Sequence, residues 1–93
     1  MSDSCFSVSG GCLCGAIRYA ALAPPYYIAV CSCTFCQRVT GSDYNVESMF
    51  RENQFILTKG ETTTYTYVSD GSGQPIRIHF CKDSGTSLFL RPD

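Results

Sequence analysis

The segment Cys31-Ser32-Cys33-Thr34-Phe35-Cys36 places three cysteines within six residues. Zinc prefers tetrahedral coordination by thiolates, and turns with two residues between the ligands supply such thiolates in pairs. Cys33 and Cys36 have this spacing, and Cys31 adds a third sulfur from the end of a predicted strand. One short segment can therefore provide three ligands and leave the fourth position open. That pattern is typical of catalytic rather than structural zinc.

Two other cysteine groups lie on either side of this segment, Gly11-Cys12-Leu13-Cys14-Gly15 and Phe80-Cys81-Lys82-Asp83-Ser84-Gly85. The chain has seven cysteines in 93 residues, a density typical of disulfide scaffolds or of metal sites. The odd number and the close spacing favour metal. The residues from Met1 to Cys5 have neither the positive region nor the apolar core of a secretory signal, which also favours metal in a reducing compartment.

Several other interpretations of the cysteines stay open. Thiolates also suit Cu(I), and Cys33 and Cys36 could instead form a redox disulfide. Cys12 and Cys14 could be small core residues, because free cysteine is often buried. Cys5 stands alone near the N-terminus, and we predict that it is not a ligand.

The length and the composition predict one globular domain spanning residues 1–93. Hydrophobic residues make up 44% of the chain and charged residues 16%, which excludes a disordered tail or a fibrous repeat. The net charge of −1 without a basic run argues against nucleic-acid or anionic-membrane partners. No apolar segment approaches the roughly 20 residues that span a bilayer. We therefore expect a cytoplasmic protein.

Short alternating or β-branched segments recur along the chain and predict strands at residues 16–19, 26–30, 44–50, 54–58, 62–68, 75–80 and 86–90. Asp70-Gly71-Ser72-Gly73 is a hairpin signal, and only residues 35–40 suggest a helical turn. The predicted fold class is mainly β, a small antiparallel meander or open barrel stabilised by zinc. An unpaired sheet edge at the last strand would need cover, which a homo-oligomer could provide.

At the cysteine groups the sequence resembles the glutathione-dependent formaldehyde-activating family, which also contains centromere protein V. The resemblance rests on Gly10 to Tyr19, Cys31 to Arg38 with Thr40-Gly41-Ser42, His79-Phe80-Cys81, and Gly85 to Phe89. It extends from about Ser9 to Pro92. Three cysteine groups in the same order make it specific, whereas a single C-x-x-C would not.

The resemblance implies a β-tent fold with two zinc sites and a carbon–sulfur lyase activity. Members of the family are described as condensing formaldehyde with glutathione to S-hydroxymethylglutathione. By analogy, Cys31, Cys33 and Cys36 hold the catalytic zinc. Cys12 and Cys14 join a late cysteine pair, here represented by Cys81, around a structural zinc.

Two departures from the family pattern qualify this analogy. The late pair in the family is C-x-x-C, but here Ser84 stands where the second ligand belongs. A serine hydroxyl is a poorer zinc ligand than a thiolate, so water, Asp83, Ser84 or Cys5 would have to complete the site. Family members also usually continue with further strands, so this chain of 93 residues is expected to be either a short member of the family or an incomplete one.

The competing class of function is a zinc-stabilised binding or structural module without turnover, because structural zinc contributes on the order of 10 kcal/mol to folding. A fourth protein ligand at Cys31, Cys33 and Cys36 would favour that alternative. His79 is expected to be a polar surface or orienting group beside Cys81. Arg38 could either meet a substrate carboxylate or be solvated.

Overall fold

The computed structural model describes residues 7–69 and 71–92, apart from the side chain of residue 92. Within these residues the chain forms eight strands, one α-helix and one 3-10 turn. In chain order they are β1 (Val8–Gly11), β2 (Arg18–Ala21), β3 (Tyr27–Cys31), α1 (Thr34–Thr40), β4 (Asn45–Met49), the 3-10 turn (Glu52–Gln54), β5 (Phe55–Lys59), β6 (Thr63–Val68), β7 (Pro75–Phe80) and β8 (Ser87–Pro92). Cys5 and Asp70 lie outside the described residues.

The fold class predicted from the sequence is confirmed, since the domain is mainly β and its sheets are small. The strands form three sheets with the orders β1-β2-β5, β3-β4 and β6-β7-β8. The pairs β3–β4, β6–β7 and β7–β8 are antiparallel. Among the described residues these sheets do not close into a barrel. Within the described part of the chain, β8 pairs with β7 at one side of its sheet.

The chain divides into two compact units. One comprises the described residues of Met1–Ser9 together with Ala20–Ile56, and the other comprises Gly10–Tyr19 and Leu57–Asp93. β3, α1 and β4 belong to the first unit, whereas β6, β7 and β8 belong to the second. Each unit contains one of the cysteine clusters described below.

In the first unit, β3 and β4 form a ribbon that runs directly into α1. Tyr27 pairs with Met49 at one end of the ribbon and Cys31 pairs with Asn45 at the other. The chain then turns at Cys33, which caps the N-terminus of α1. The helix ends at Gly41, whose N–H donates to the carbonyl of Gln37 at 2.9 Å. The single helical turn expected from the sequence is therefore a seven-residue helix.

In the second unit, β7 is the central strand between β6 and β8. Ile78, at the middle of β7, is buried, and it faces Tyr65 of β6 and Leu90 of β8 in the strand register. The sequence pattern predicted an outward His79, but its ring stacks on Phe89 with 4.3 Å between centroids, and its Nε2 atom is buried. The pairing of β7 with β8 also shifts its register between His79 and Phe80.

One strand was missed by the sequence pattern and another begins later than expected. β1 contains two glycines, which have low strand propensity, so no signal marked it. β2 begins at Arg18 rather than Ala16, because Ile17 closes a turn around Cys12. The Ile17 carbonyl accepts from the Cys12 N–H at 3.1 Å, and the Ile17 N–H donates to Cys12 Sγ at 3.2 Å.

The hydrophobic core is small, and cysteines make up half of it. Among the described residues, the buried apolar side chains are Cys12, Ile17, Ala21, Cys36, Ile78 and Cys81. In the second unit, Cys12, Ile17 and Cys81 pack together with partly buried Leu88. A core this thin gains little from apolar burial alone, so the state of the cysteines matters for stability.

The described residues contain no helix with the length and apolar character needed to cross a bilayer.

Candidate metal centres

The first cluster lies in the first unit and consists of Cys31, Cys33 and Cys36. Their Sγ atoms all lie within 4.8 Å of one another, which could accommodate a metal ion. The Cys31 thiol donates to Cys33 Sγ at 3.4 Å. Cys36 is buried, Cys31 is half-buried and Cys33 is exposed, so solvent reaches the cluster on the Cys33 side.

The start of helix α1 positions two of these thiols. Cys33 is the N-cap residue, and its Sγ accepts a hydrogen bond from the Cys36 N–H at 3.4 Å. The Cys33 carbonyl accepts from the Gln37 N–H at 3.0 Å, which begins the helical hydrogen bonds. The Gln37 side chain donates to the carbonyl of Ser32 at 3.1 Å and so fixes the backbone between Cys31 and Cys33.

Cys33 and Cys36 differ in how readily they ionise. The Cys36 N–H, followed by the thiols of Cys31 and Cys36, lowers the pKa of Cys33. Burial, and then the neighbouring thiols, raises the pKa of Cys36 to about 12. In this cluster the exposed Cys33 therefore ionises more readily than the buried Cys36.

The second cluster lies in the second unit and consists of Cys12, Cys14 and Cys81. The distance from Cys12 Sγ to Cys14 Sγ is 3.5 Å, and that from Cys14 Sγ to Cys81 Sγ is 3.6 Å. Cys12 and Cys81 are buried, whereas Cys14 is exposed. This cluster is therefore also able to hold a metal ion, and it meets solvent at Cys14.

Two turns bring these sulfurs together. Cys12 and Cys14 lie in the tight turn after β1, which Gly15 closes with φ of 82° and an N–H bond of 3.1 Å to the Cys12 carbonyl. Cys81 follows β7 directly, and its N–H donates to the Thr86 carbonyl at 2.9 Å. The two turns are joined because the Leu13 N–H donates to Thr86 Oγ1 at 3.1 Å.

Hydrogen bonding also makes the pKa values of the thiols in the second cluster differ from one another. Burial opposes ionisation of Cys12, but the Ile17 N–H and the thiols of Cys14 and Cys81 outweigh it and lower the pKa of Cys12 to about 6. The hydroxyl and then the N–H of Ser84 lower the pKa of Cys81. The Ala16 N–H and the Ser84 hydroxyl favour the Cys14 thiolate, but the thiols of Cys12 and Cys81 raise the pKa of Cys14 overall.

The sulfur spacing fits a tetrahedral thiolate site rather than disulfides. With Zn–S bonds of about 2.3 Å, two sulfurs of a tetrahedron lie about 3.8 Å apart. The observed separations are 3.4 Å in the first cluster and 3.5 and 3.6 Å in the second. A disulfide needs about 2.0 Å. All six cysteines in the described part of the chain are free thiols, so the disulfide expected of a redox site is not formed between Cys33 and Cys36.

The structure brings Cys31, Cys33 and Cys36 together, and it brings Cys81 to Cys12 and Cys14, the grouping that the family resemblance implied. Among the described residues, no histidine, aspartate or glutamate joins either cluster. Asp83, one of the candidates for a fourth ligand, is exposed and outside the second cluster. Cys5, another candidate, lies outside the described residues.

Arg38 and His79, also considered in the sequence analysis, belong to neither sulfur cluster. Arg38 is exposed in the last turn of α1, two residues after Cys36. His79 is half-buried, and its Nδ1 lies 2.7 Å from Thr62 Oγ1. A cleft of about 350 Å³ lies beside Cys81 and is walled in part by residues 60–63. No sequence signal pointed to this cleft.

These features define a small, mainly β domain with two three-thiol clusters, each able to hold a metal ion. Residues 7–93 match the family model described as glutathione-dependent formaldehyde-activating enzyme, so the chain belongs to that family. The resemblance stated from the cysteine motifs is thereby confirmed.

A protein of Halomonas elongata is similar to this chain and is provisionally named as a glutathione-dependent formaldehyde-activating enzyme. The two are 27% identical over 86 residues, which cover 89% of this chain and 55% of the relative. The chain thus spans about half the length of this curated relative.

Proposed function

We propose that Cys31, Cys33 and Cys36 hold a zinc ion and that the domain adds glutathione to formaldehyde, giving S-hydroxymethylglutathione. The observation that carries the proposal is a cluster of three sulfurs that no fourth histidine, aspartate, glutamate or cysteine of the described chain completes. Three protein ligands with a free position are the arrangement of zinc sites that act on a substrate. The family and the name of the relative supply the substrate class.

Zinc held by three thiolates is a modest Lewis acid, and the chemistry it would supply here is a position where an incoming thiol loses its proton near neutral pH. The exposed side chain of Cys33 places that position within reach of a solute. The buried Cys36 and the capped start of α1 keep the cluster in one geometry, since the Cys36 N–H is fixed on Cys33 Sγ. Such pre-organisation is what a proximity-driven addition requires.

The reaction itself needs little from the protein beyond positioning. A carbon–sulfur bond forms between the glutathione sulfur and the formaldehyde carbon, while the carbonyl π bond breaks. The proton lost by the thiol ends on the new hydroxyl group, so no oxidant or reductant is required. Arg38 is exposed close to Cys36 in sequence, and its guanidinium suits one of the glutathione carboxylates.

We further propose a second zinc ion at Cys12, Cys14 and Cys81 and a reducing compartment such as the cytoplasm. The free state of all six described cysteines is the form that zinc binding needs, and reducing compartments maintain it.

A specific observation also favours the alternative of a non-catalytic zinc-stabilised module. Half of the buried apolar side chains of the described residues are cysteines of the two clusters, namely Cys12, Cys36 and Cys81. The free energy of metal binding would then stabilise the fold, whether or not the domain also catalyses a reaction. In the catalytic function a substrate thiol reacts at the metal held by Cys31, Cys33 and Cys36, whereas in the structural module no reaction takes place there.

The deciding experiment measures the glutathione-dependent loss of formaldehyde above the uncatalysed rate, with zinc-loaded wild type and with Cys33→Ala. We expect acceleration by the wild type and none by the variant. Ser32→Ala is the matched control, because it changes the exposed neighbour but leaves the three sulfurs in place. Equal rates for wild type and Cys33→Ala would remove the catalytic assignment and leave the structural module.

A further inference from the structure

The turn after β7 has the same local geometry as the turn that begins α1. In the α1 turn, the Cys36 N–H donates to Cys33 Sγ at 3.4 Å. In the β7 turn, the Ser84 N–H donates to Cys81 Sγ at 3.4 Å. In each turn, the N–H of the third residue after the first cysteine donates a hydrogen bond to the Sγ atom of that cysteine. Ser84 therefore occupies in its turn the position that a thiol occupies at Cys36.

The side chain of Ser84 is engaged in hydrogen bonds at this position. Its hydroxyl lies 3.1 Å from Thr86 Oγ1, and it lowers the pKa of Cys81 and opposes the rise in the pKa of Cys14. A hydroxyl that donates to a thiolate keeps its proton and stabilises the sulfur charge. In this role Ser84 supports the ligands of the cluster without being one of them.

The cluster is open to small molecules although two of its sulfurs are buried. Cys14 is exposed and Ser84 is half-buried, so the side of the cluster where a fourth sulfur would stand borders solvent. Among the described residues no carboxylate or imidazole fills the position.

We propose that Cys12, Cys14 and Cys81 form a second metal centre with a replaceable fourth ligand, at which a small exogenous thiol can bind, and that Ser84 is the residue that keeps this position open. The domain would then have two thiol-accepting metal centres rather than one accepting centre and one closed structural centre. This inference concerns the second cluster and does not depend on turnover at the first.

Cobalt substitution tests the proposal without an activity assay, because thiolate-bound Co²⁺ absorbs visible light according to its ligands. The protein is Cys33→Ser/Cys36→Ser, which leaves only the second cluster intact. Adding 2-mercaptoethanol should change the cobalt spectrum in this background. The further change Ser84→Cys should abolish the response and tighten Co²⁺ binding by at least about tenfold, since an added ligand should exceed the 10–100-fold effects of outer-shell groups.

Ser84→Ala in the same background distinguishes between two roles of the Ser84 hydroxyl, support of the thiolates by hydrogen bonding and direct ligation of the metal. We expect Ser84→Ala to keep the response to 2-mercaptoethanol and to lower the Co²⁺ affinity by no more than about 10–100-fold, the effect typical of an outer-shell group. Loss of Co²⁺ binding in Ser84→Ala would make Ser84 a ligand and overturn the proposal. An unchanged spectrum on adding the thiol to the parent background would overturn it too.

A second measurement uses the intact chain, so that it does not depend on folding of the double variant. A colorimetric chelator removes zinc from wild type and from Ser84→Cys, and the release is followed in time. One rapidly released equivalent in the wild type should become slow in Ser84→Cys, whatever the behaviour of the first cluster. Identical release curves for the two proteins would overturn the proposal.

Discussion

The side-chain oxygen of Thr62 lies 2.7 Å from Nδ1 of His79 and is the hydrogen-bond partner of that ring. The other nitrogen, Nε2, is buried and has no partner among the described residues. Burial, followed by the charges of Arg91 and Arg77, lowers the pKa of His79. A neutral ring with one hydrogen bond is thus held against Phe89, directly before the turn that carries Cys81.

Thr62→Val should destabilise the domain, because it removes the partner of His79 and leaves both ring nitrogens without one. A partly buried polar group that loses its hydrogen bond costs about 1–3 kcal/mol. Urea unfolding of the zinc-loaded protein measures the effect. Thr66→Val is the matched control, since Thr66 is exposed on β6 and the same atoms are exchanged. Equal stabilities for the two variants would show that the contact contributes nothing.

A second prediction concerns Gly60, which follows β5 and has φ of 79°. A methyl group there would collide with the backbone carbonyl oxygen of Ala16, in the turn that leads to Ile17. Gly60→Ala should therefore cost about 2–4 kcal/mol, the sum of left-handed backbone strain and a steric clash with rigid backbone. Thermal or urea unfolding measures it.

Gly73→Ala is the control for this prediction. Gly73 has φ of 72°, but nothing lies within 4 Å of the position its Cβ would take. It should show only the backbone strain, about 1–2 kcal/mol. If Gly60→Ala is no more destabilised than Gly73→Ala, the packing of Gly60 against Ala16 is not a constraint on the fold.

The sequence predicted the fold where the local pattern alone determines it. Alternation and β-branching marked β7 at residues 75–80, and the other expected strands ended within two residues of their observed bounds. β1 gave no signal because its two glycines are accepted only through tertiary pairing with β2. The inward position of His79 was also missed, since it depends on the partner Thr62 in another segment.

The candidate site was predictable in its members but not in its surroundings. Close spacing singled out five cysteines, namely Cys12, Cys14, Cys31, Cys33 and Cys36, because residues close in sequence are close in space. The pairing of Cys81 with Cys12 and Cys14 came from the family resemblance, and the structure groups these three thiols. The family's C-x-x-C pattern placed Ser84 at the position of the second cysteine, and the structure adds the N–H···S contact that Ser84 shares with Cys36.

A third prediction separates the two clusters by their metal content. Cys36→Ser and Cys81→Ser should each lose one of two bound zinc ions, because each removes a buried sulfur from a different cluster. Each should also lower the free energy of unfolding by several kcal/mol, since zinc binding contributes to folding. Metal analysis of protein purified without added zinc gives the stoichiometry.

Cys5→Ser is the control for this experiment and tests the prediction that Cys5 is not a ligand. It should retain both zinc ions and the wild-type stability. Loss of one equivalent in Cys5→Ser would instead make Cys5 the fourth ligand of one cluster. Loss of both equivalents in either Cys36→Ser or Cys81→Ser would show that the two centres are not independent.

The fourth prediction is that removing the metal both unfolds the domain and exposes its thiols. Among the described residues, Cys12, Cys36 and Cys81 form half of the buried apolar side chains, and a bound cation would bridge the sulfurs that lie 3.4–3.6 Å apart in each cluster. Chelation should therefore lower the melting temperature and make the thiols reactive towards a thiol reagent. Acidification should act in the same direction, because thiolates must take up protons as the metal leaves. Readdition of zinc at neutral pH under reducing conditions should restore both properties. A domain whose melting temperature and thiol reactivity are the same before and after chelation would have its cysteines in the core for packing alone.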